Sequence, residues 1–262
     1  MPPHGCDSHR VEGTPMAGKL TMSQLNKLGE RLRKDPDNKD DLRALDAFRS
    51  SFASACEQVS DELNKSRLDP VSRPAKTTLS IIAKLNRERS RLSKMLDIAG
   101  CRVKVDSVEE PDRVVSDLLA TFPDAVVHDR RIKPSYGYRA VHVVVCIEGF
   151  FVEIQIRTLL QHEWASAMER LADDIGPEFK YGGGPAELQK RAAALSNAIR
   201  NTEDFETKTM GDIRAEEQHG GSDKEFDDVR AALADLKGSL LELVRQLMIL
   251  AEEEVKTRDF PN

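Results

Sequence analysis

KPSYGYRAVHVVVCIEGFFVEIQIRTLLQHEWASAMERL, residues 133–171, decides how the rest of this chain is read. It holds two of the three tyrosines, the only tryptophan and two of the six histidines. Strict alternation puts Val141, Val143, Val145 and Ile147 on one face of a strand and His142 on the other. A second strand places Val152, Ile154 and Ile156 on one face, with Glu153, Gln155 and Arg157 opposite. Glu148–Gly149 between them predicts a compact hairpin turn. Across that hairpin His142 and Glu153 look out on the same side, on a face that either meets water or lines a site. From Leu159 onward the apolar period is helical.

Working outward, LDIAGCRVKV (96–105) and AVVHDRRI (125–132) read as strands around the helical segment EEPDRVVSDLLATF (109–122). Upstream, SQLNKLGERLRKD is a helix with Ser23 as its cap. Leu45, Phe48, Phe52, Cys56, Val59 and Leu63 form one buried stripe of a long helix, RLDPVSRP breaks it, and a further helix runs from Thr77 to Met95. The class is α+β: a small mixed sheet flanked by helices. Residues 1–17 read as a disordered N-terminal arm, 18–205 as the domain, and 206–262 as a helical extension. In that extension Phe226, Val229, Leu233, Leu236, Leu240, Leu243, Leu247 and Leu250 alternate steps of three and four. Such a seam either docks on its own domain or joins copies of the chain.

Charged residues are 32% of the 262, and the net charge is -6, which argues against a broad nucleic-acid face while leaving room for a local basic pocket. The four cysteines form no CxxC pair, and Cys101 and Cys146 lie in apolar runs, so buried thiols are expected rather than disulfides or zinc. No apolar run reaches membrane-spanning length, and the first residues lack a signal peptide's hydrophobic region, so a cytoplasmic location is the expectation.

Four features carry chemistry. Lys76, Ser80, Lys84, Arg87 and Arg91 recur at helical steps along one stripe. Such a stripe is either a solvated basic face or a cradle for an extended triphosphate. Asp97, at the head of an apolar strand, caps the preceding helix, pairs with Arg102, or binds a hard cation. With Glu153 it makes a carboxylate pair suited to Mg²⁺ against phosphates, and to accepting a proton from an attacking hydroxyl. The KPSYGYR loop offers a tyrosine either to a nucleobase or to the sheet edge.

In this order the segments KTTLSIIAKLNR, MLDIAGCRV, KPSYGYRAVH and VEIQIRTLLQHEWASAMER resemble the synthetase domain of the RelA/SpoT homologues, most closely the small single-domain alarmone synthetases. The resemblance spans about residues 20–205 and implies a nucleotidyltransferase-like domain that makes (p)ppGpp. The implied reaction moves the β,γ-pyrophosphoryl group of ATP to the 3′-hydroxyl of GDP or GTP, or of GMP, and releases AMP. It assigns Lys76, Ser80, Lys84 and Arg87 to the ATP phosphates and Arg102 to the adenine. Asp97 and Glu153 are assigned to Mg²⁺, with Glu153 also activating the 3′-hydroxyl. Tyr138 is assigned to the guanine, and Lys133, His142, Gln155, Arg157 and His162 to the acceptor side. Small members assemble through terminal helices, so a homo-oligomer, tetramer or dimer, is expected. His128–Asp129 has no partner histidines, and synthesis without hydrolysis is expected.

Two departures from the family pattern stand out. Pro74 occupies the position of the usual motif arginine, so Arg73, one further back, is the candidate for that ATP-binding role, and Tyr136 lies between Ser135 and Gly137 as a competitor for Tyr138. Two rivals follow the resemblance. One is a toxin-like relative that pyrophosphorylates the tRNA 3′ end or adenine nucleotides. The other is a catalytically inactive member that binds nucleotides or partners. Nucleic acid, whether tRNA or a regulatory RNA, enters as a partner only outside the main reading.

Overall fold

A computed structural model describes residues 20–73, 75–217 and 223–259. The expected N-terminal arm lies outside the described residues. Eight α-helices and five strands follow in the order α1 (Met22–Lys34), α2 (Lys39–Ser50), α3 (Ala53–Lys65), β1 (Pro70–Arg73), α4 (Thr78–Glu88), β2 (Ala99–Val105), α5 (Glu110–Thr121), β3 (Val126–Asp129), β4 (Val141–Ile147), β5 (Phe150–Thr158), α6 (Leu159–Ile175), α7 (Ala186–Glu217) and α8 (Asp223–Asp259) among those residues. The sheet is mixed, with strand order β1-β2-β5-β4-β3. The α+β expectation holds.

The β4–β5 hairpin forms as its alternation requires. Glu148 and Gly149 both take positive φ, 52° and 87°, the two-residue turn whose twist suits paired strands. The helical lead-in differs in detail. Thr21, not Ser23, caps α1, because Thr21 and Gln24 exchange both bonds of a capping box. The single long helix expected over 45–63 is two helices. Its stripe is buried, with Leu45, Phe52, Val59 and Leu63 all at or below 2% exposure. The backbone turns at Ser51–Phe52, where the Ser51 hydroxyl donates to the Phe48 carbonyl and competes with helical continuation.

The helix expected over Thr77–Met95 also stops early. Arg89 adopts a left-handed conformation, φ 48°, and a separate 3₁₀ turn at Leu92–Lys94 returns Leu92 to the core. Lys76 therefore precedes the helix and Arg91 follows it. The strand β1 was not anticipated: four residues beginning with a proline give little signal, and Pro70 is tolerated as the first residue of an edge strand. It pairs antiparallel with β2, setting Arg73 opposite Gly100 and Val71 opposite Arg102.

The chain forms two compact units. The first comprises the chain through Val103 with Val114–His128 and His142–Ile156; the second comprises Lys104–Arg113, Asp129–Val141 and the chain from Arg157. In the first, Phe48, Phe52 and Phe150 meet edge to face, with ring centroids 5.2 and 4.9 Å apart. In the second, one cluster joins Leu160, Trp164, Met168 and Leu171 of α6, Leu188, Leu195 and Ile199 of α7, and Leu240, Val244, Leu247 and Ala251 of α8. Helix α7 runs unbroken across residues 205 and 206.

The seam of α8 divides in two. Phe226, Leu233, Leu240 and Leu247, seven residues apart, are buried, whereas Leu236, Leu243 and Leu250 are exposed. Cys56 and Cys101 are free thiols, and burial pushes the Cys101 thiol up to about 12, so it is inert packing. Cys146 departs from expectation and is disulfide-bonded. No described helix is long and apolar enough to cross a membrane.

Candidate functional site

Helix α4 starts where Thr77 caps it, its hydroxyl accepting from the Ser80 backbone N–H. The segment ahead of that cap is fixed from both sides. Lys76 N–H donates to the Ile98 carbonyl at 2.7 Å. Arg49 of α2 donates to the carbonyls of Lys76 and Ala75 and to the Thr78 hydroxyl. This role of Arg49 was not read from the sequence, where it is one more helix-end arginine 27 residues from its target.

So held, Lys76 and Lys84 converge on one atom. Their ammonium groups donate to Asp97 Oδ2 at 3.1 and 2.8 Å. Of the three options for Asp97, pairing is realised, with these lysines rather than with Arg102. Burial alone would raise the Asp97 carboxyl, but the two ammonium charges outweigh it and hold it down at about 2. Its other oxygen, Oδ1, is buried and has no hydrogen-bond partner among the described residues. Ser80 sits on the exposed first turn of α4, its hydroxyl accepting from Thr77, and exposed Arg87 pairs with neighbouring Glu88. Arg102 is half-buried on β2.

Arg73, at the end of β1, reaches both carboxylate-bearing segments. Its guanidinium donates to the Asp97 backbone carbonyl at 3.0 Å and lies 3.5 Å from Glu153 Oε2. The sheet face carrying Glu153 does not meet water. His142, Glu153 and Gln155 are 6%, 7% and 5% exposed. The expected meeting of His142 with Glu153 is present, Nδ1 to Oε1 at 2.9 Å, and the Gln155 amide donates to Oε2 at 2.7 Å. For Glu153, too, burial works upward and is overcome, chiefly by His142 and then by Arg73 and Gln155, leaving it at about 2. Gly100 lets β2 approach here: a Cβ on it would stand 2.0 Å from the Glu153 carbonyl oxygen.

The first unit thus gathers Arg73, Lys76, Lys84, Asp97, His142, Glu153 and Gln155. Three permanent cations face two carboxylates, an excess of positive charge that suits a polyphosphate. The residues fit a divalent ion at Asp97, whose Oδ1 is an unused buried acceptor; both Glu153 oxygens already accept. No group of three or more His, Cys, Asp or Glu forms a metal cage among the described residues.

The second unit holds Lys133, Tyr138, Arg157 and His162. Tyr138 is half-buried, and Arg157 both donates to its hydroxyl at 2.8 Å and lies over its ring, 5.0 Å from the centroid. Tyr136 is exposed, and its ring rests against Gly182. Lys133 is exposed on the loop, and His162 lies half-buried in the first turn of α6. Trp164 is structural: it is buried and its indole N–H donates to the Ala192 carbonyl.

A cation-lined carboxylate pair on a mixed α+β sheet is chemically suited to nucleotide phosphates, and comparison with known proteins places the chain among proteins of that kind. The family model described as "Region found in RelA / SpoT proteins" matches residues 72–171. The Mycobacterium tuberculosis (strain ATCC 25618 / H37Rv) protein Rv1366 is 33% identical over 192 residues, 66% of this chain and 70% of its own. The crystal structure of small alarmone synthetase 1 from Bacillus subtilis matches with TM-score 0.54 at 27% identity, covering 68% of this chain and 99% of that one. A structure of the Bacillus enzyme bound to its product pppGpp matches in fold, TM-score 0.53 at 24% identity, covering 67% and 99%. The chain belongs to the RelA/SpoT family.

Proposed function

We propose that this protein transfers the β,γ-pyrophosphoryl group of ATP to the 3′-hydroxyl of GDP or GTP, releasing AMP, and that it does not hydrolyse the product. The observation that carries this reading is the Asp97 carboxylate, bridged by Lys76 and Lys84 with its Oδ1 unused. In the reaction the 3′-oxygen bonds to the β-phosphorus. The bond from that phosphorus to the α,β-bridging oxygen breaks, and its electrons leave with AMP.

Lys76 and Lys84 exchange Asp97 for ATP phosphate oxygens, joined by Ser80 and Arg87, while Arg102 packs on the adenine. Arg73, displaced by one position from the family arginine, is tied to Glu153 and the Asp97 backbone. Its role here is therefore to place the carboxylates rather than to hold adenine. Asp97, with Glu153, would hold Mg²⁺, which would neutralise charge on the triphosphate. Glu153, ionised at neutral pH, accepts the hydrogen bond of the 3′-hydroxyl and orients it, and takes its proton as the new bond forms. His142 and Gln155 hold its two oxygens in place. Tyr138 stacks on the guanine with Arg157 behind it, and Lys133 and His162 complete the acceptor side. The exposed stripe Leu236, Leu243 and Leu250 serves a homo-oligomer.

The test is incubation of purified protein with Mg²⁺ and ATP and, separately, GMP, GDP, GTP or no acceptor, resolved by ion exchange. AMP appearing in step with a more highly phosphorylated guanosine, and lost in Glu153→Ala, is the expected result. Labelling of tRNA or an adenine nucleotide instead would replace the acceptor. No AMP with any acceptor would leave a binding protein. Release of pyrophosphate from added ppGpp with Mn²⁺ would overturn the synthesis-only reading.

A further inference from the structure

Helix α7 carries four buried polar side chains, Ser196, Thr202, Glu203 and Glu206, and two of them, Ser196 and Glu203 at 3% and 9% exposure, lie seven residues apart. Seven residues make nearly two full turns, so both face the same way, about 10 Å apart along the axis. Neither is needed to bury the helix, whose apolar contacts run through Leu188, Ala192, Leu195 and Ile199. A buried polar group costs free energy unless it is bonded, so what each one bonds is informative.

Ser196 holds the tyrosine loop. Its hydroxyl donates to the Gly137 carbonyl at 2.5 Å, and Arg139 donates to both its backbone carbonyl, at 2.9 Å, and its hydroxyl oxygen. These two attachment points are the residues on either side of Tyr138. Gly137 has φ 86°, and a Cβ there would press on Trp164 and Ser196 at 3.0–3.1 Å, so the loop lies close against α6 and α7. Glu203 holds the other acceptor-side segment. One carboxylate oxygen accepts from the Thr158 hydroxyl and the other from the Gln161 amide at 2.9 Å. Thr158 and Gln161 are the capping box of α6, directly after Arg157 and directly before His162.

The contacts close on themselves. Ser196 fixes Gly137 and Arg139, which flank Tyr138; Tyr138 accepts from Arg157; Arg157 precedes Thr158; Thr158 donates to Glu203; and α7 joins Glu203 back to Ser196. We infer that Ser196 and Glu203 are positioning residues that set the plane of Tyr138 and the reach of Arg157, and thereby the affinity for the guanine acceptor. This rests on the function proposed above for that pair. A merely architectural role for the two bonds would lower stability without distinguishing one substrate from the other. A positioning role shifts acceptor binding and leaves ATP binding alone.

The experiment uses the full chain as wild type, Ser196→Ala, Glu203→Gln, the double variant and Glu206→Gln. Glu206 lies buried on the same helix but pairs with Lys237 of α8, so it controls for damage to α7. Glu203→Gln retains one acceptor and presents a second donor to the Gln161 amide. KM is measured for GDP and for ATP separately. Independently of turnover, GDP binding is followed by the fluorescence of Trp164, the only tryptophan, which lies beside Gly137. We expect each single variant to weaken GDP by about fivefold, the scale of one lost buried hydrogen bond. ATP KM should stay within about twofold, and the double variant should fall short of the product of the singles because they share one circuit.

Glu206→Gln should move neither constant. Unchanged GDP constants in folded variants, or equal rises for GDP and ATP, overturn the inference. If Glu203→Gln does not fold, Thr158→Val breaks the same bond from the other side and must give the same split. Absence of GDP binding by the wild type itself would instead sink the proposed function, and the positioning role with it.

Discussion

Gly100→Ala tests the geometry of the carboxylate site at its tightest point. The added Cβ would stand 2.0 Å from the Glu153 carbonyl oxygen and 3.0 Å from its carbon. Ordinary contact begins at 3.4 Å, so β2 and β5 must separate by about 1.4 Å, and both partners are backbone with no side-chain end to swing aside. Overpacking of this kind costs about 1–3 kcal/mol, and a rigid backbone obstacle belongs near the top of that range. For a chain of this size the melting temperature should fall by roughly 5–10 °C. The rate should suffer more than the fold. Moving a reacting group by ~1 Å costs on the order of 100-fold, and the residue displaced is Glu153 itself. The assay is AMP release at 25 °C beside a thermal melt, with Gly211→Ala as control, since a Cβ there meets nothing within 4 Å. A Gly100→Ala protein that melts within 2 °C of wild type and turns over within about twofold would mean that the strands do not approach as described.

The remaining expectations concern charge, base recognition and assembly. Asp97 and Glu153 sit at about 2 in the folded protein against 3.8 and 4.5 ordinarily, so their ion pairs stabilise fully above about pH 4.5 and are lost as pH falls towards 2. Each contributes on the order of 2–3 kcal/mol, and Asp97→Asn should flatten the fall in urea midpoint between pH 5 and pH 3. An unchanged slope would contradict the pairing. Tyr138→Ala should raise acceptor KM by about tenfold or more, on the scale of one lost stacking contact, while Tyr136→Ala, whose ring rests on Gly182, leaves it nearly unchanged. Equal effects would reassign the base-stacking role. Leu243→Glu should reduce the particle mass seen by light scattering without lowering the melting temperature, because Leu243 is exposed. A monomeric wild type would remove that role from the outward stripe of α8.

The hairpin was legible because β-branched residues recur at every second position from Val141 to Ile147 and again from Val152 to Ile156, and Glu148–Gly149 supplies the turn. Strand β1 was not, because Pro70–Arg73 is too short to show a period. The break at Ser51 was hidden for a different reason. Phe48, Phe52 and Cys56 keep a helical step across it, and only a side-chain bond to the backbone reveals that the axis changes. At the site, residue types and the pairing of His142 with Glu153 were legible, and the partnerships of the lysines were not. Lys84 and Asp97 are 13 apart in the chain, and nothing local says that both lysines end on one oxygen atom. Ser196 and Glu203 left the weakest trace. A serine and a glutamate in a long charged helix look solvated until the loop and the cap they bond are in place.

The dependence of the second unit's core on α8 bears on how the molecule is made. Trp164 and Leu171 share their cluster with Leu240, Val244, Leu247 and Ala251, so a nascent chain ending before α8 leaves that surface wet. The loop that carries Tyr138 and the end of β5 that carries Arg157 lie against the same α6 and α7. The order of the Tyr138 loop therefore depends on residues synthesised last, and a chain interrupted on the ribosome before α8 would lack the packing that backs it.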